Sequence, residues 1–240
     1  MNANKRILPV TPWSASNPWS LQPKSLIVLC CSLALFGIGD GMLVTAQLGS
    51  TPWTVLAQGI AQQTGLGIGM VTFLVSAAVL ALWLPLRQRP GIGTVLNMVI
   101  IAAVLGLFVR VVTPPTDLIW RIALCLGGIV TIGLASSFYL TCYLGAGPRD
   151  GLMVGLCRIS GWRVGLVRTL LEGSVCLIGW LLGGVLGLGT LLFAFGVGAA
   201  VSLAQYLPTL LFGAGRVITI TTEAVAIGSG LNRRLAGLYG

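Results

Sequence analysis

The chain has 240 residues, of which 56% are hydrophobic and only 8% charged, whereas a soluble domain is about a quarter charged. Fourteen basic and five acidic side chains cannot cover a water-soluble body of this size, so a fold outside a bilayer is excluded. The net charge of +9 does not mark a nucleic-acid surface, because the basic residues sit between apolar runs, the pattern that orients a membrane protein.

Residues 1–24 hold Lys5, Arg6 and Lys24 among four prolines, with Trp13 and Trp19 between them. They read as an irregular cytoplasmic tail whose two tryptophans rest at the membrane interface. The apolar run from Ser25 is too long for a signal-peptide core, and no cleavage is expected. Six stretches are apolar enough to cross a hydrocarbon layer, at 25–47, 68–86, 93–110, 119–143, 164–185 and 190–212. Placing the N-terminus inside puts 12 of the 14 basic residues on the cytoplasmic side and leaves Arg110 and Arg121 outside. Both termini are therefore expected in the cytoplasm, with residues 213–240 as a second cytoplasmic tail.

Sliding the sequence by 96 residues aligns Gly37–Leu107 with Gly133–Leu203 without a gap, and 19 of 71 positions agree. Seven of the agreements are glycines, and Pro52 falls on Pro148. Shared hydrophobicity does not explain such matches, whereas duplication does. The membrane domain (25–212) thus divides into a first repeat at about 25–110 and a second at about 119–212. Three spans per repeat would make the copies enter from opposite sides. The fold class is an all-α integral membrane protein of six helices in two inverted three-helix repeats, an architecture of secondary transporters and of several channels.

Between the first two spans of each copy lies a segment too short and polar to span. In the first, Gly49 is followed by Ser50 and Thr51 as capping residues, Pro52 at the first helical position, Trp53, and Gly65 as the stop. Gly145, Pro148 and Gly161 repeat that grammar in the second copy, with Arg149, Asp150 and Arg158 added. The sequence allows these short amphipathic helices to lie flat at the interface or to dip inward as re-entrant helices, their positive N-terminal ends toward the middle.

Ionisable residues inside apolar spans are costly and mark interiors. Asp40 has Ser136 as its repeat mate, so this acid breaks the symmetry, and no basic residue of its own span reaches it. Arg168 and Glu172 stand one helical turn apart and can neutralise each other. Arg149 and Asp150 can cap one another at their helix start, yet their place at the repeated proline makes them, with Asp40, Arg168 and Glu172, candidates for substrate binding or coupling. Asn97, Gln58 and Thr141 read as ordinary interhelical hydrogen-bonding residues. The sequence contains no histidine, so the commonest general base and metal ligand are missing. The six cysteines show no C-x-x-C spacing and read as small buried thiols. With no nucleotide-binding, zinc-protease or serine-hydrolase signature either, neither a cofactor, a metal nor an enzymatic role is expected.

Ala46–Leu56, closing with Thr64–Gly69, resembles the first signature of the YczE-like membrane proteins, grouped with YyaS and YitT. Leu144–Met153, Ser160-Gly161-Trp162, Val167–Glu172 and Gly179–Gly184 resemble the second. Thr54 departs from the pattern, since relatives often place Asp after Pro-Trp. The resemblance implies a bacterial inner-membrane protein of several helices and supplies no catalytic residues. Three readings follow. The first is a transporter or exporter of a small anionic or zwitterionic metabolite, with Asp40 and Glu172 as coupling or substrate groups and Arg149 and Arg168 as anion partners. The second is a passive channel. The third is a non-transporting accessory of a partner enzyme or assembly, docked through the tails. The bilayer is the one certain partner, the solute is unidentified, and a homo-oligomer or a membrane partner is left open.

Overall fold

Each break in the apolar pattern becomes a helix end in the computed structural model, which describes residues 11–212. The expected C-terminal tail, 213–240, and Lys5 and Arg6 lie outside the described residues. Among the described residues eight helices run in chain order: α1 (Pro23–Ala46), α2 (Pro52–Thr64), α3 (Ile68–Ala81), α4 (Ile92–Val111), α5 (Leu118–Thr141), α6 (Pro148–Ser160), α7 (Val164–Leu181) and α8 (Leu188–Phe212). Prolines open α1, α2 and α6, where a missing N–H costs nothing. Left-handed glycines, Gly65 (φ 71°) and Gly161 (φ 68°), stop α2 and α6 at the expected places.

Among the described residues α1, α4, α5 and α7 are long and apolar enough to cross a bilayer. Their outward faces carry residues such as Leu35, Leu107, Val130 and Leu177, exposed in a way water would not tolerate in a contiguous belt. The helix α8 has 25 residues and is apolar over Leu188–Val201. The second expected span, 68–86, is shorter than predicted. With 14 residues, α3 is only about 21 Å long, against the roughly 30 Å of a hydrocarbon core. It ends at Ala81 because the chain turns to aim the Trp83 indole at the Pro148 carbonyl, 2.9 Å away. Together α2 and α3 are apolar enough for one span, bent by 116° at Gly65–Gly67.

The spacing of 96 recurs in the backbone. The starts of α2 and α6, of α3 and α7, and of α4 and α8 are all 96 positions apart (52/148, 68/164, 92/188). Residues of positive φ recur likewise, at Gln47 (53°) and Tyr143 (55°), Gly49 (111°) and Gly145 (117°), and Gly65 and Gly161. Packing follows the same register: Gly37 of α1 lies against Val104 of α4, and Gly133 of α5 against Ala200 of α8. Two hydrogen bonds cross reciprocally between the copies. Gly93 N–H donates to the Leu144 carbonyl (2.9 Å), and Gly189 N–H donates to the Leu48 carbonyl (2.7 Å).

The long helices α1 and α5 lie antiparallel, and each has its C-terminal carbonyls satisfied from the other copy or the tail. Arg121, in the first turn of α5, donates to Ala46 O (2.8 Å) and Gln47 O (2.9 Å) at the end of α1. The cation thereby also opposes the negative end of that helix dipole. At the end of α5, Trp13 Nε1 reaches the Thr141 hydroxyl (3.0 Å), the Ser14 hydroxyl reaches Thr141 O (2.8 Å) and Ala15 N–H reaches Cys142 O (3.0 Å). The pre-helix segment is therefore not an interfacial tail throughout: Trp13 is 8% exposed and packs on Phe138, while Trp19 remains exposed. Arg121→Ala is expected to cost about 1–3 kcal/mol, since two helix-end carbonyls lose their charged donor. Thermal unfolding in detergent measures this, and Arg158→Ala, at an exposed position, serves as the neutral control.

Candidate functional site

The left-handed turns after α1 and α5 send the chain back into the protein. The segment from Gly49 to Val55 is buried, and the hydroxyls of Thr51 and Thr54 come to act on Asp40, six residues before the end of α1. The short helix therefore begins about 9 Å inside the end of α1. Its C-terminal end, Gln62–Thr64, is exposed. The N-terminus of α6 is seated in the same way, with Gly147 and Pro148 buried and Ser160 exposed. Both short helices thus have buried N-terminal segments and exposed C-terminal ends.

At the start of α2, Thr54 N–H and Val55 N–H both donate to Thr51 O at 2.9 Å. The Thr51 hydroxyl, expected as the cap, instead pairs with the Thr54 hydroxyl at 2.7 Å. Asp40 is 0% exposed, and neither carboxylate oxygen has a hydrogen-bond partner at good geometry. The groups that act on it are those two hydroxyls and the Arg149 guanidinium. At the start of α6, Arg149 and Asp150 do not cap one another as expected. Asp150 Oδ2 accepts the Tyr139 hydroxyl at 2.6 Å, and the Arg149 guanidinium lies over the Trp53 ring, 5.5 Å from its centroid. Trp53 and Arg149 are themselves 96 residues apart, so the two short helices meet at equivalent positions.

Around this meeting point lies a cavity of about 590 Å³. Its polar wall carries Thr51, Trp53, Thr72, Ser76 and Asn97 from the first copy and Arg149, Asp150, Arg168 and Glu172 from the second. Phe36, Ile101, Ile132, Phe193 and Val197 form the apolar remainder. Arg168 Nε and Glu172 Oε1 make the expected ion pair at 2.9 Å. Four of the five charged candidates thus share one cavity, and Asp40 stands behind its wall at the α2 N-terminus. Gly49 and Gly145 make the turns that deliver Pro52 and Pro148. Among the described residues no group of three His, Cys, Asp or Glu side chains is placed to hold a metal ion.

The sequence did not single out Thr72, Ser76 and Tyr139, and Asn97 read only as an ordinary interhelical hydrogen-bonding residue. The repeat register contained a signal for three of them: Thr72 and Ser76 are the mates of Arg168 and Glu172, and Asn97 is the mate of Phe193, another wall residue. Each copy also joins an acid to a hydroxyl where its long and short helices meet, with the roles exchanged. In the first, Asp40 is on the long helix and Thr54 on the short one. In the second, Tyr139 is on the long helix and Asp150 on the short one.

Residues 23–206 match a family of unknown function, DUF6198. The chain is 51% identical to an uncharacterised protein of Haemophilus influenzae over 201 residues, covering 84% of this chain and 92% of that one. It is also 30% identical to the uncharacterised membrane protein YczE of Bacillus subtilis, over 82% of this chain and 91% of the relative. The chain belongs to this YczE-like family of membrane proteins. A third relative, the uncharacterised protein YyaS of Bacillus subtilis, is 26% identical over 67% of this chain and 82% of its own length. No solved structure matches. In this YczE-like protein Asp40 of α1 brings a carboxylate to the Thr51 and Thr54 hydroxyls at the start of α2.

Proposed function

We propose that this YczE-like protein is a secondary transporter or exporter of a small anionic or zwitterionic metabolite. In this reading it has six membrane crossings in two inverted halves, and the short helices α2 and α6 are re-entrant. The single observation that carries the reading is the cavity lined by both short-helix N-termini, where Trp53 and Arg149 meet from equivalent positions. Inverted-repeat carriers hold substrate near the membrane midplane between their halves, with half-helix N-termini facing it. The recurrence of helix starts, left-handed turns and reciprocal hydrogen bonds at a spacing of 96 supports two equivalent halves.

Both termini are placed on the cytoplasmic side of the bacterial inner membrane. Arg149 and Arg168 belong to the cavity and leave the orientation count, which then stands at ten inside to two outside. The work proposed is passage of a solute, with no bond made or broken.

The experiment begins with metabolite profiling of a deletion strain, followed by flux of the metabolites that change in proteoliposomes holding the purified chain. Saturable uptake with counterflow of preloaded solute is expected. Flux that rises linearly with concentration and shows no counterflow would make the protein a channel. No flux, together with co-purification of a partner, would make it an accessory.

A further inference from the structure

We propose that the cavity binds an amino-acid-type zwitterion, with the carboxylate on Arg149, the ammonium on Asp150 and an apolar side chain against the opposite wall. The inference rests on the transport reading for the purpose of the site, but it concerns binding, which is measured separately.

Arg149 makes no hydrogen bond or ion pair with another described residue, and its only ring contact is with Trp53. Its N–H donors form a rigid fork that matches a carboxylate in bidentate fashion, and the half-buried guanidinium lines the cavity. Asp150 is the next residue in the same helical turn. Tyr139 occupies its Oδ2, and Oδ1 has no donor among the described residues. An α-ammonium and its carboxylate are joined through one carbon, so a receptor for both needs opposite charges on one wall; Arg149 and Asp150 both line this cavity, and Asp150 acts electrostatically on Arg149.

Charge balance separates the candidate ligands. Arg168 and Glu172 neutralise each other at 2.9 Å, which leaves one cation and one anion on the wall without a full partner. A simple anion would satisfy Arg149 but face the negative fields of Asp150, Glu172 and Asp40, all of which reach that guanidinium. A simple cation would satisfy Asp150 and leave Arg149 unpaired. A zwitterion satisfies both. The Thr72 hydroxyl supplies an independent sign of a ligand: it lines the cavity, is 2% exposed and has no hydrogen-bond partner. Phe36, Ile101, Ile132 and Phe193 provide the apolar wall, and the volume of about 590 Å³ falls in the usual range of small-ligand pockets.

The test is thermal-shift titration and equilibrium binding of the purified full chain in detergent. The probes are L-leucine, L-methionine, L-phenylalanine and L-tryptophan, each beside its counterparts lacking the amine or the carboxylate. At least one amino acid is expected to bind saturably, and at least tenfold more tightly than either counterpart. Arg149→Gln is expected to weaken that binding tenfold or more, and Arg149→Lys, which keeps the charge without the fork, to fall between. Asp150→Asn is expected to reduce the amino acid to the affinity of its amine-free counterpart. Size-exclusion profiles identify any variant that fails to fold, and the milder Arg149→Lys then carries the comparison. Equal binding of the amine-free acids, equal binding of the carboxylate-free amines, indifference to both Arg149 variants, or no binding by any probe would each overturn the proposal. Binding without flux would overturn the transport reading and leave the site standing, whereas flux unaffected by both Arg149→Gln and Arg149→Lys would remove the site and leave transport.

Discussion

Asp40→Asn is expected to abolish proton-driven accumulation of solute while sparing both the fold and solute exchange. Asp40 is fully enclosed, its oxygens have no hydrogen-bond partner, and the hydroxyls of Thr51 and Thr54 and the Arg149 guanidinium act on it. An intramembrane carboxyl group in that position is by default a functional one. Gaining or losing a proton there would change the field at the α2 N-terminus and at Arg149, the residue proposed to hold substrate. Asparagine is nearly isosteric, so packing against α2 is kept and no unpaired charge can form. The thermal midpoint is expected to stay within about 4 °C of the wild type, the shift that roughly 1 kcal/mol produces in a protein of this size. Uptake under an imposed pH gradient is expected to fall to the level seen without one, while counterflow continues. If the variant still accumulates solute like the wild type, Asp40 has no part in coupling.

Gly179→Ala is expected to damage the fold more than any other single methyl group added to α7. The crossing of α2 and α7 is backbone on backbone. A Cβ at Gly179 would lie 2.5 Å from the Leu56 Cα and backbone nitrogen, where no side-chain rotation can make room. Gly59 presses against Gly179 from the other side of the same crossing. Overpacking of this kind costs about 1–3 kcal/mol even after relaxation, and here it would also shift the helix that delivers Trp53 to the cavity. A lower thermal midpoint and a poorer monodisperse yield are expected. Gly173→Ala is the control on the same helix, because a Cβ there meets nothing within 4 Å; it should be neutral or stabilising through helix propensity. Equal behaviour of the two variants would contradict the close crossing.

The sequence revealed much of this architecture because, in a chain this apolar, every glycine, proline and polar residue is a conspicuous interruption. Pro52 with Gly65 and Pro148 with Gly161 bounded α2 and α6 to the residue, since local backbone chemistry decides those ends. Features set by distant contacts were not legible. The end of α3 depends on Trp83 finding the Pro148 carbonyl 65 residues away, and nothing near Ala81 announces that partner. Trp13 looked interfacial because its ring is amphipathic, yet its hydrogen bond is with Thr141 in the core. Arg149 and Asp150 looked like a local pair because they are adjacent, yet Arg149 lies over the Trp53 ring and Asp150 accepts the Tyr139 hydroxyl. Neutral wall residues such as Thr72 and Asn97 are ordinary in any span, and only the register of the duplication relates them to the cavity.

The reciprocal bonds between Gly93 and Leu144 and between Gly189 and Leu48 also bear on how the chain is made. During synthesis the first copy emerges with the start of α4 lacking its acceptor, which arrives only when residue 144 has been inserted. The Leu48 carbonyl waits longer still, until Gly189. Each of these helix starts thus receives its acceptor or donor only after a distant stretch of chain has been made, so the interlock closes late in synthesis.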